Sequence, residues 1–143
     1  MFSQQLTLNG FKEILLVVII MDRYEKGKEC IESIQNMSVE EIFKDLEDIA
    51  PDLSRFAIEF PYAEIYTRDE VDLKTRELCT VAALTTIGTI PQLKDHINAA
   101  LNVGNDPSEI VEIIMQMSAY AGFPKAINGM IAAKEVFIEK GLL

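Results

Sequence analysis

The sequence predicts an all-α fold of about seven helices. Three observations carry this. Apolar residues recur at helical spacing along most of the 143 residues. Ser, Asp, Gly and Pro fall where helices start and stop. Strand-like patterning is confined to one β-branched run, Ile14–Ile20. The length is one domain's worth, enough for a single core.

Each helix has its own signals. In residues 22–36, Cys30, Ile31 and Ile34 share one side of a charged helix. Ser38 with Glu41 reads as a capping box opening a short helix through about Ile49. Pro51 suits a first helical turn, followed by an apolar stripe of Leu53, Phe56, Ala57 and Phe60; Pro61 ends or bends that helix. The central helix is expected from about Asp72 to Ile87, with Gly88 and Pro91 bracketing a tight break. A further helix runs to Val103, with Gly104 as its C-cap. Asp106, Pro107 and Glu109 then supply an N-cap, a proline at the first helical position and an acid at the third. Gly122 stops that helix, and Pro124 starts the last one, ending near Gly141.

The first twenty residues raise a separate question. "MDRYEKGKEC" from Met21 reads as a fresh protein start, so residues 1–20 are expected to be an overcalled start. The rival reading is an extension that packs as a strand or buried helix. The seven-residue run Ile14–Ile20 is too short to span a bilayer. It also lacks a positive flank and a small-residue cleavage site, so it does not read as a signal peptide.

Composition excludes some functions. The formal net charge is −10, and Lys and Arg are scattered singly among acids. Nucleic acid is therefore not an expected partner, because phosphate binding needs a dense basic face. No membrane partner is expected either, and the chain reads as cytoplasmic. One His and two Cys are too few for a zinc site of the ordinary Cys/His kind, so no metal is expected. Cys30 and Cys79 stand far apart and do not suggest a structural disulfide.

The sole histidine, His96, falls in the apolar stripe Leu93, His96, Ile97, Ala100, Leu101. Glu77 heads an otherwise apolar run near the start of the central helix, where a carboxylate suits the macrodipole. The bland reading is a packed imidazole and a dipole-stabilising acid. The functional reading is a proton-transfer pair, with Glu77 orienting the ring. Measured from the break, Glu77 and His96 are not directly opposite, so contact is expected to need a crossing angle or another subunit. Cys79, about 200° round the helix from Glu77, is read as core.

Four segments, "VDLKTRELCTVAAL", "PQLKDHINAALNVG", "DPSEIVEIIMQMSAYAGFPKAING" and "AAKEVFIEKG", resemble the carboxymuconolactone decarboxylase family, whose branches include alkylhydroperoxidase D. The resemblance runs from about Asp22 to Leu143. It implies a single-domain helical fold that assembles into homotrimers or homohexamers. The peroxidase branch resembles Glu-x11-Cys-x2-Cys-x3-His. Here Glu77 and His96 match the outer positions, while Thr89 and Gln92 stand where the cysteines would be. Disulfide-based peroxide reduction by that route therefore lacks its thiols. In the decarboxylase branch the position of Glu77 is often a small polar residue, so the chain departs from both branches.

The resemblance implies a cofactor-independent lyase or related proton-transfer enzyme acting on a small carboxylated molecule. His96 and Glu77 would be catalytic; Arg76 and Tyr120 are the candidates to hold the substrate carboxylate, the alternative for each being a structural salt bridge or cap. The alternatives are a non-catalytic oligomeric scaffold or small-molecule binder and, third, a thiol peroxidase.

Overall fold

The computed structural model describes residues 2–143, with side chains at residues 10, 12–15 and 23–143. Among these are seven α-helices, one π-helical segment and no strand. They are α1 (Phe2–Gln35), α2 (Val39–Ile42), α3 (Pro51–Ala57), the π segment (Ile58–Ile65), α4 (Leu73–Ile87), α5 (Ile90–Asn102), α6 (Pro107–Ala121) and α7 (Phe123–Glu139). None is long and apolar enough to cross a membrane. The chain forms two compact units. One contains α1 through Ser33 together with Met37–Arg68; the other contains Asp69–Leu143 together with Ile34–Asn36.

In the first unit, α1 is helical through the β-branched run, so the strand-like signal at Ile14–Ile20 is overridden. Ile14 and Leu15 are exposed; the side chains of 16–20 lie outside the described residues, and with them the expected burial of that run. Ion pairs Arg23–Glu64 at 2.8 Å and Lys28–Glu40 at 3.2 Å tie α1 to later parts of the unit. A Cβ at Gly27 would lie 2.5 Å from the Ile58 carbonyl oxygen, so the two backbones meet at a distance only glycine permits.

Three local expectations need correction here. Ser38 does accept the Glu41 N–H at 3.3 Å, but α2 lasts four residues and the chain then turns up to Ala50. Pro51 drives only the residue before it, Ala50 at φ −153°, out of the helical region, so it does not account for the early end at Ile42. The helical run does not stop at Pro61, which lies inside the π segment, closed by the Tyr66 N–H donating to the Pro61 carbonyl at 2.8 Å. The stripe of Leu53, Phe56 and Phe60 faces outward, 53–63% exposed, and Ile58, Tyr62 and Ala63 are buried instead. The widened coil can shift the face only from Ile58 onward, which includes Phe60; Leu53 and Phe56 lie in α3 before it.

In the second unit, α4 to α7 pack around Val81, Leu93, Ile97, Ala100, Ile110, Ile114, Ala132, Ala133, Val136 and Phe137. Asp72 caps α4 by accepting the Thr75 N–H at 2.8 Å. Gly88 closes α4 at φ +87°, which makes the two-residue link to α5 possible. The capping box of Asp106 and Glu109 opens α6 as expected. Gly129 on α7 lets that helix lie close to α4 and α6: an added Cβ would meet Thr85 Cγ2 at 3.0 Å and Ile114 Cγ2 at 3.1 Å. Gly129→Val is expected to destabilise by about 1–3 kcal/mol through overpacking, read as a lower midpoint in urea unfolding.

Candidate functional site

The fold places Glu77 on the inward stripe of α4, with Val81 and Thr85 one and two turns on. Glu77 is fully buried. His96 reaches it from α5: Nδ1 lies 2.8 Å from Glu77 Oε2, with the imidazole side chain 17% exposed and the carboxylate 0%. The contact forms within one chain, so no second subunit is needed for it. Of the two routes to contact that the spacing left open, a crossing of the helices or a second subunit, the pair does not use the second; α5 follows α4 after a two-residue link.

The pair's chemistry follows from its donors and acceptors. A carboxylate only accepts, so the ring proton belongs on Nδ1, donated to Oε2. That leaves Nε2 as the nitrogen that exchanges protons. Glu77 Oε1 is buried without a hydrogen-bond partner, so His96 is the one hydrogen-bonding group that holds this carboxylate among the described residues. Next to His96, burial pushes the Asp95 carboxyl above its ordinary range, with the imidazole pulling the other way.

The other predicted residues are placed less centrally. Arg76 adjoins Glu77 in sequence, and its Nε donates to the Val71 carbonyl at 3.0 Å. Tyr120 lies near the end of α6, 79% exposed, and no described contact joins it to the pair. Thr89 caps α5 without a side-chain cap bond, and its buried Oγ1 has no partner; Gln92 is exposed. Cys79, read as core, is exposed. Its angular separation from Glu77 was right in direction, but the face opposite Glu77 on α4 looks outward at that point. Cys30 and Cys79 form no disulfide. Among the described residues, no three of His, Cys, Asp and Glu gather as a metal-binding group.

Sequence reasoning passed over Asn105. It is 5% exposed, and its Nδ2 donates both to the Ala100 carbonyl at 3.1 Å and to the Lys74 carbonyl at 3.2 Å. The local signal was present, because an asparagine directly follows the Gly104 C-cap; the long-range bond to Lys74 had no signature.

The base of α4 also carries a pH prediction. Hydrogen bonds from Thr75, its backbone N–H first and its side chain second, hold the Asp72 carboxyl below its ordinary range. A depressed folded-state pKa adds stability above the unfolded value, and that stability is lost as pH falls through the folded one. Asp72→Asn caps without titrating, so it should flatten the loss of thermal stability between about pH 5 and pH 3. Melting curves of both proteins across that window check this.

An all-helical unit that seats a buried carboxylate against one imidazole, across a two-residue helical turn, defines a class: helical proteins with an acid–base pair and, here, Thr89 and Gln92 in place of a cysteine pair. The carboxymuconolactone decarboxylase family model matches residues 51–135, and the chain belongs to that family. It is 32% identical over 121 residues to the 4-carboxymuconolactone decarboxylase of Acinetobacter baylyi, covering 84% of this chain and 90% of that protein. It is also 32% identical over 97 residues to an uncharacterized 15.0 kDa protein of Paracoccus denitrificans from the nqo9-nqo10 intergenic region, covering 66% and 72%.

Proposed function

We propose that the protein is a cytoplasmic, cofactor-independent carboxy-lyase acting on a small carboxylated lactone of the 4-carboxymuconolactone type. The observation that carries this reading is the 2.8 Å bond between His96 Nδ1 and the buried Glu77 Oε2, which leaves Nε2 as the working nitrogen. The similarity to a named decarboxylase over most of both chains supports the substrate class.

The reaction needs little from the protein. The bond from the ring carbon to its carboxylate breaks, carbon dioxide leaves, and the electron pair passes into the conjugated lactone as a dienolate. His96 Nε2 takes a proton from water and delivers it to carbon, the hydroxide left behind combining with the released carbon dioxide as bicarbonate, while Glu77 holds the ring in place. Glu77 is thus a positioning residue and His96 the catalytic one. Arg76, which adjoins Glu77 in sequence, is the first candidate for the substrate carboxylate, and Tyr120, which no described contact joins to the pair, is the second. Carbon dioxide release from 4-carboxymuconolactone tests the reading, and a chain with no turnover on it would sink this substrate assignment.

The second reading, a scaffold or binder whose pair serves packing, is favoured by the complete burial of Glu77. The His96→Asn variant described below separates the two. Peroxide reduction by a cysteine pair stands third, with Thr89 and Gln92 at the required positions.

We further propose self-association as a homotrimer or homohexamer. Phe56 and Phe60 in the first unit, and Phe123 and Ile127 in the second, are 53–71% exposed, and self-association would cover such large apolar side chains. Light scattering should give a mass of three or six chains; a monomer mass would overturn this.

A further inference from the structure

The register of Glu77 against His96 has to be held by something other than their own bond. The hairpin of α4 and α5 is closed covalently at one end by Gly88 and Thr89. The other end is open, and there Asn105 spans it. Its Nδ2 donates to Lys74 in the first turn of α4 and to Ala100 in the last turn of α5. Its backbone N–H donates to the same Ala100 oxygen at 2.9 Å. Lys74 lies three residues before Glu77, and Ala100 four after His96, so the amide bridge sits one turn from the pair at the same helix–helix register.

The amide orientation is fixed by its surroundings. Turned over, its oxygen would face two carbonyl oxygens. In the observed orientation both amide hydrogens are used and the buried Oδ1 has no partner. An unsatisfied buried acceptor is costly, so this site gives up stability that an apolar residue would not. What the amide provides in return is the link between the two helices.

We infer that Asn105 is a positioning residue for the acid–base pair: its carboxamide locks the open end of the α4–α5 hairpin at the register that puts His96 Nδ1 on Glu77. The inference concerns the same site as the proposed activity but rests only on the pair's geometry.

The chain has one histidine, so a single imidazole reports the result. Long-range 15N–1H correlation, at a pH where the ring is neutral, shows which nitrogen carries the proton. Native protein should show it on Nδ1, and Glu77→Ala should release it to a mixture rich in Nε2–H. Asn105→Ala should move the ring toward the Glu77→Ala spectrum and lower kcat by roughly tenfold or more with KM little changed. Asn105→Ser, which keeps one donor, should fall between and covers the case in which the alanine variant does not fold. Asn102→Ala is the control: Asn102, the last residue of α5, donates its Nδ2 to the Ile34 carbonyl at 3.0 Å, a similar bond three residues before Asn105 that does not reach α4. It should leave the tautomer unchanged. A native tautomer retained in both Asn105 variants, or an equal shift in Asn102→Ala, would overturn the inference. A shifted tautomer in a protein without lyase activity upholds it and removes only the proposed reaction.

Discussion

Replacing His96 by asparagine is expected to lower turnover by about 100-fold or more while leaving thermal stability close to native. The asparagine amide nitrogen occupies the place of the imidazole Nδ1. It can therefore keep the hydrogen bond to Glu77 Oε2, which spans 2.8 Å in the native protein. What it lacks is Nε2, the atom assigned to proton transfer. Steady-state kinetics alongside a melting curve separate the two effects. Preserved turnover in a folded His96→Asn protein would remove His96 from the chemistry.

His96→Ala is expected to behave differently, and its effect on stability should be the largest of any substitution at the site. Glu77 is wholly buried, and its Oε1 already lacks a partner. Deleting the imidazole leaves both oxygens unpaired, and a buried charge without its partner costs about 3–5 kcal/mol. Glu77→Ala should cost less, because the stranded group is then an imidazole that already reaches water, 17% exposed. The double variant should recover part of what His96→Ala loses, and a double-mutant cycle from urea unfolding measures that coupling. Additive losses would mean that the two side chains do not depend on each other. A stability loss in His96→Ala therefore does not by itself argue for a packing role, since an enzyme with this geometry would show the same loss.

The ends of the helices were legible in the sequence because they depend on local chemistry. Gly88, Gly104, Asp106 and Glu109 act within a turn of themselves, and the structure finds each doing so. The helical run through Ile14–Ile20 and the π segment at Pro61 were not legible, because neither β-branching nor proline fixes a backbone outcome without its tertiary setting. The stripe of Leu53, Phe56 and Phe60, and likewise Cys79, show a further limit. Periodicity tells which residues share a face, not which way the face looks.

For the site, the spacing of Glu77 and His96 and the residues between them marked the pair as matching the outer positions of the family pattern. Their contact depended on how a two-residue link sets one helix against the next. Asn105 depended on the same register, so it stayed hidden while its capping neighbours stood out.

The central claim is that His96 Nε2, held by Glu77, transfers the proton that follows loss of carbon dioxide. Its most direct test is carbon dioxide release from 4-carboxymuconolactone by the native protein and by His96→Asn, at matched folding. The expected result is turnover in the first and a loss of about 100-fold or more in the second. Equal turnover in both, or none in the native protein, would contradict it.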